Sequence, residues 1–174
     1  QRLFGPKAPD GPRLNTMPAL ASTEGAPIPV VYGRARVGGQ VIWATRFEET
    51  TSRGSGGGKG VGGKKPKTFN YFANFAVGLC EGPVGGVRRI WADGRELDQT
   101  RFTLRIYDGS ETQQADPLIL AKEGANNAPA YRGLAYVVFE RMPLADFGNR
   151  IPQLSFEVIR PTSRLATMIR GVDI

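Results

Sequence analysis

Between residues 28 and 161 the chain alternates apolar and polar positions in short runs broken by glycine and proline, which is the period of strands. Residues 28–36 (IPVVYGRAR) combine β-branched and aromatic side chains. In residues 40–49 (QVIWATRFEE), Val41, Trp43, Thr45 and Phe47 oppose Ile42, Ala44, Arg46 and Glu48. With Gly38-Gly39 as the turn, these two runs read as a hairpin. Residues 68–82 read as one long strand, with Phe69, Tyr71, Ala73, Phe75, Val77 and Leu79 on one face. Its other face carries Asn70, Phe72, Asn74, Ala76, Gly78 and Cys80.

The remaining runs continue the pattern. Residues 87–97 form a strand–turn–strand unit about Asp93-Gly94, and residues 101–109 alternate cleanly. Residues 116–124 predict a short helix, with Asp116 as its cap, Pro117 at its first position and Gly124 ending it. Two strands close the series at 134–142 and 153–161, the last with Leu154, Phe156 and Val158 inward. The pattern predicts a mainly β fold, an antiparallel barrel or sandwich with one short helix and a long Gly/Lys-rich loop.

Residues 1–27 carry five prolines (Pro6, Pro9, Pro12, Pro18 and Pro27) and read as an extended arm pinned by Leu14, Met17 and Leu20. The β-rich part spans 28–161 with a mobile loop at 50–67, and 162–174 reads as a linker to a further part of the polypeptide. The chain begins at Gln1 and is read as a piece of something longer. No apolar run approaches the roughly 20 residues that cross a bilayer, and no membrane contact is expected of this segment.

Charge singles out the loop. Residues 50–67 (TTSRGSGGGKGVGGKKPK) hold Arg53, Lys59, Lys64, Lys65 and Lys67 without an acid, so they supply +5 of a net +7. Seven of these 18 residues are glycine, which favours a coil at the tip of a hairpin made by the flanking strands. The five cations are candidates to touch an acidic partner or nucleic acid. Gly58-x-Gly60-x-x-Gly63 and Gly58-xxxx-Gly63-Lys64 imitate nucleotide-binding patterns. However, Lys65 stands where Ser or Thr would hold magnesium, and a strand follows where a helix is required.

The chain has no histidine and one cysteine, Cys80. Ser-His and Cys-His nucleophiles, an intrachain disulfide and the usual zinc sets are therefore excluded. Cys80 reads as an inert buried thiol, and no cofactor or metal is expected. Glu48, Glu49, Glu81, Asp93, Glu140, Asp146 and Glu157 show no catalytic spacing and read as solvent-facing or turn residues. Asp146, Asn149 and Arg150 sit in LADFGNRIP, which reads as a structural turn: Asp146 on backbone amides, Gly148 at positive φ, Arg150 on a carboxylate. An intersubunit contact is the rival reading. Trp43 and Trp91 read as core or interface anchors.

Three blocks, IPVVYGRARVGGQVIWA, FAVGLCEGPVGGVRRIWADGREL and YRGLAYVVFERMPLADFGNRIPQLSFEV, lie in that order between residues 28 and 158. They resemble the N-terminal hub region of tail-tip and baseplate proteins of long-tailed phages. The nearest likeness is to the large baseplate protein of alphaproteobacterial gene transfer agents. The resemblance implies a non-enzymatic hub of β-barrel-like domains that closes the tail tube as a homotrimer at the distal tip of the virion. Such a protein is made in the bacterial cytoplasm. Its implied partners are the distal tail protein, the tape-measure protein and other hub subunits, with DNA only in transit. The Gly/Lys loop matches none of the blocks. Two other classes remain open at this point: a nucleic-acid-binding module driven by the loop, and a cell-wall hydrolase module using two carboxylates.

Overall fold

The computed structural model describes Gly25, residues 27–53 and residues 67–161. Nine strands lie among these residues: β1 (Gly33–Gly38), β2 (Gln40–Ala44), β3 (Glu48–Arg53), β4 (Lys67–Glu81), β5 (Gly86–Ala92), β6 (Arg95–Glu96), β7 (Thr103–Tyr107), β8 (Leu134–Pro143) and β9 (Leu154–Arg160). A single helix, α1 (Pro117–Glu123), lies between β7 and β8. Every pairing is antiparallel. One sheet, A, has the order β1-β9-β5-β6; the other, B, runs β2-β4-β8-β7, with β3 also paired to β4. The mainly β expectation holds, in its sandwich form.

The two sheets face each other across one apolar core. Ala35, Val37, Ile90, Leu154, Phe156 and Val158 of sheet A meet Tyr71, Phe75, Val77, Leu79, Val137 and Phe139 of sheet B. Phe75 and Phe139, opposite each other in register, stack with centroids 4.9 Å apart. Each such buried side chain is worth about 1.5–3 kcal/mol over exposure. On the far side of sheet B, Ala76, Tyr136 and Val138 pack against Ile119 of α1. Strands β4 and β8 are thus covered on both faces, which is why AVGLC and AYVVF are nearly unbroken apolar runs.

The helix forms as its caps require. Asp116 accepts from the amides of Leu118 and Ile119, Pro117 opens the first turn, and Gly124 ends the helix at φ 81°. Likewise Asp93 (φ 48°) and Gly94 (φ 83°) make the tight β5–β6 turn.

Residues 28–49 do not form the expected hairpin. Strand β1 pairs with β9 in sheet A, whereas β2 pairs with β4 in sheet B. Gly39 is the corner where the chain changes sheets. A Cβ there would lie 2.3 Å from Val77 Cγ1 and 2.6 Å from Phe156 Cε2, so only glycine fits between the packed layers. The second run is also divided: β2 ends at Ala44 and β3 begins at Glu48, with the Thr45 amide donating to the Asn74 carbonyl (3.0 Å) at the break.

Strands β3 and β4 do pair on either side of the glycine-rich stretch, as expected, out to Arg53 opposite Lys67. The loop is therefore shorter than 50–67. Thr50, Thr51, Ser52 and Arg53 belong to β3 and Lys67 to β4, because the β-branched residues extend the ladder. The face assignment of β4 also needs one correction. A register shift between Gly78 and Cys80 turns Cys80 into the inter-sheet core beside Leu79.

Candidate interaction surface

Strand register lays out the outer face of sheet A. Glu157 of β9 stands opposite Arg36 of β1 on one side and Arg89 of β5 on the other; Ser155 stands opposite Trp91. Alternation sends the inward neighbours Ala35, Val37, Ile90, Phe156 and Val158 into the core, so these polar residues point to solvent. Arg34 Nε donates to Glu157 Oε1 at 2.6 Å, and Arg89 Nε lies 3.9 Å from Oε2. Arg89 also lies 3.8 Å from Glu96. The Arg34 hydrogen bond, and the charges of Arg34, Arg89 and Arg88, hold the Glu157 carboxyl below its usual range against a smaller desolvation effect.

Arg36 is held differently. Its Nε and Nη2 donate to the Ser155 hydroxyl at 3.0 and 2.9 Å, and its guanidinium lies 4.0 Å above the Trp91 ring. Stacking and a hydroxyl thus fix a cation that forms no carboxylate ion pair among the described residues. Upstream of β1, Val31 is buried in the core, while Ile28, Val30 and Tyr32 are 59, 46 and 75 % exposed.

Of the loop cations, Arg53 and Lys67 end the paired β3–β4 ribbon, and Lys67 is exposed; Lys59, Lys64 and Lys65 lie outside the described residues. The base of this ribbon is tied down by Asn74, 1 % exposed. Its Nδ2 donates to Glu48 Oε1 (2.7 Å), and its Oδ1 accepts from the Arg141 amide (2.8 Å). Arg141, at φ 48°, sits opposite the β4 register shift and pairs with Glu48 at 3.1 Å.

The turn with Asp146, Asn149 and Arg150 has the expected form in two respects. Gly148 is left-handed (φ 64°), and Arg150 forks onto Asp93, with Nη2–Oδ2 2.8 Å and Nη1–Oδ1 3.3 Å. Asp146 is not what closes it: the Leu144 carbonyl accepts from both Phe147 and Asn149 amides at 2.9 Å. Asn149 itself is left-handed at φ 56°. Asp93 also accepts from the Gln153 amide (3.0 Å), the main reason its carboxyl titrates low.

The most enclosed polar cluster joins β7, β8 and α1. Asp116 is fully buried, with Arg105 Nε at 2.6 Å and Nη2 at 3.0 Å, and the Tyr107 hydroxyl at 2.8 Å. Arg105 Nη1 also reaches Glu140 Oε2 at 2.7 Å. Burial pushes Asp116 up, but the Arg105 and Tyr107 hydrogen bonds outweigh it and hold the carboxyl low. Tyr107 is pushed up to about 12, first by burial and then by Asp116.

No family model matches the chain, and neither does any curated protein. A solved structure does: 88 % of the chain aligns at 41 % identity and a TM-score of 0.65 with a chain from "Virion of native gene transfer agent (GTA) particle". The chain is similar to part of a gene transfer agent virion. It spans 33 % of the length of that virion chain.

The three sequence blocks, residues 28–44, 75–97 and 131–158, contribute all of β1, β2, β5, β6 and β8, 7 of the 15 residues of β4, and most of β9. They make nearly all of sheet A and the centre of sheet B. The β3–β4 ribbon and the β7–α1 unit lie outside them.

Sequence reading missed three features. Asp116 was visible as a cap, but its pairing with Arg105 needs β7 and α1 to meet. Asn74 was an outward strand residue until its bulge made it a staple. The arginine face was hidden because Arg34, Arg36 and Arg89 come together only when β1 and β5 flank β9. Of the acids weighed for catalysis, Glu48, Asp93, Glu140 and Glu157 are each engaged by an arginine. Among the described residues no group of three or more His, Cys, Asp or Glu is placed to hold a metal ion, and no helix is long and apolar enough to cross a membrane.

Proposed function

We propose that this chain is a structural component of a phage-like particle, and more specifically a baseplate hub module that closes the distal end of the tail tube. The observation that carries this reading is the 41 % identity extending over 88 % of the chain to a gene transfer agent virion chain. The resemblance of the sandwich-forming blocks to tail-tip hubs supports the finer placement.

A rigid double-sided sheet suits such a role. With β4 and β8 covered by sheet A on one side and α1 on the other, the module resists shear and presents fixed surfaces to neighbours. In this reading the chain assembles as a homotrimer, adjoins the distal tail protein and other hub subunits, receives the tape-measure protein, and lines a path that DNA crosses only in transit. It does no chemistry of its own.

Cryo-electron imaging of intact particles tests the proposal. The expected result is density for this sandwich at the tail end in three copies around the tube axis. Particles that lack the chain at the tail end would overturn the reading, and a different copy number would overturn the trimer.

A further inference from the structure

The outer face of sheet A is built unlike the rest of the surface. Arg34 and Arg36 of β1 are exposed while Ala35 between them faces the core; residues 28–32 precede the left-handed Gly33 (φ 69°) and run to the end of β4, where the Glu81 amide donates to the Pro29 carbonyl (2.9 Å). Arg34 and Arg36 form the β1 half of a cationic row. Trp91 and Arg89 of β5 continue the row across β9. Tyr, Trp and Arg are the residues enriched in protein interfaces, and Arg surpasses Lys there because its planar fork binds carboxylates in pairs.

Charge sets the complement. Arg34, Arg36, Arg88 and Arg89 outnumber the carboxylates of Glu96 and Glu157, and the face already shows what its arginines bind, since Glu157 sits between Arg34 and Arg89. Arg36 is pre-set by Ser155 and Trp91, so engaging it costs little side-chain entropy. A phosphate backbone fits poorly, because Glu157 interrupts the positive row.

We propose that the outer face of sheet A, from Arg34 across β9 to Arg89 and Trp91, is a docking surface for a protein segment that presents acidic side chains. The inference goes beyond the virion reading and does not require it.

Two labelled probes test it by fluorescence anisotropy across a salt series: a short peptide of alternating glutamate and serine, and an oligothymidylate of equal negative charge. The isolated chain should bind the peptide more tightly than the oligonucleotide. Arg36→Glu should weaken peptide binding about tenfold or more, the loss expected when an interface anchor is removed and its charge reversed. Arg89→Glu, a single change on β5, should weaken it in the same direction. Lys59→Ala/Lys64→Ala/Lys65→Ala should leave peptide affinity within about twofold, because β3 and β4, which flank that stretch, belong to sheet B. Three outcomes would overturn the proposal: no peptide binding at low salt, tighter binding of the oligonucleotide, or a loss that follows the loop lysines instead of the face. Because the isolated chain is used, such a failure is distinct from absence of the chain from particle tails.

Discussion

The two outer surfaces of the sandwich are finished in opposite ways. Beyond sheet B, α1 seals the apolar residues Tyr136 and Val138, and the polar groups at its edge are bonded to one another around Asp116. Beyond sheet A nothing among the described elements covers β1, β9 and β5, and their arginines stand half in water. Both sheets share one core and one strand chemistry, so the difference lies in what the chain adds outside. Low dielectric makes the Asp116 cluster a matter of stability. Solvent makes each sheet A contact cheap to lose, and so free to serve recognition.

Removing one carboxylate from each side gives the sharpest test. Asp116→Ala strips α1 of its cap and leaves Arg105 and the Tyr107 hydroxyl without their main partner. Loss of a buried pair partner should cost about 3 kcal/mol in urea unfolding. Asp93→Ala removes the partner of Arg150 in a half-exposed turn and should cost about 1 kcal/mol or less. Equal losses would break the contrast.

Gly39→Ala probes the corner that both sheets depend on. The new methyl would press on Val77 and Phe156, one from each sheet, and overpacking of this kind costs about 1–3 kcal/mol. The substitution should lower the midpoint of unfolding without altering its slope. A neutral result would mean that the layers can separate locally at Gly39.

That corner also shows where the sequence was legible and where it was not. Local signals were read correctly: the Asp116-Pro117…Gly124 frame of α1, the Asp93-Gly94 turn, and the inward Leu154, Phe156 and Val158. Each depends on the backbone within a few residues. The Gly38-Gly39 pair has the composition of a hairpin turn, but its use was decided by β9 and β4, more than thirty residues away, which each capture one arm. The arginine face failed to stand out for the same reason. Alternation announces that Arg34 and Arg36 point away from the core, but only the strand order β1-β9-β5 brings Arg89 and Trp91 beside them.

Titration should probe the sealed side from both ends of the pH scale. The Asp116 carboxyl titrates below its usual range in the fold, against about 3.9 in the unfolded chain. Its contribution is therefore present at neutral pH and is lost as the pH falls through the folded value. Tyr107 works at the other end. Its folded value of about 12 exceeds the unfolded value of about 10, so its stabilisation holds below about pH 10 and fades as the pH rises towards 12. Thermal melts of the wild type and Tyr107→Phe should converge over that alkaline window. Curves that stay parallel would show that Tyr107 titrates normally.

The smallest expected effect lies on the open face, and it is informative for that reason. Arg36 contributes a stack on Trp91 and two bonds to a half-buried serine, so Arg36→Ala should cost no more than about 1 kcal/mol. Its optical signature should be larger than its energetic one. Removing the guanidinium 4.0 Å above the Trp91 ring opens the indole to water, which shifts its emission to the red. Trp43 is remote from this face, donating its ring N–H to Glu123 of α1 at 2.8 Å, and a Trp43→Phe background isolates the Trp91 signal. A red shift with little change in stability is the behaviour of a residue pre-set for a partner. A loss near that of Asp116→Ala, with no spectral change, would make Arg36 a structural element and erase the distinction between the two faces.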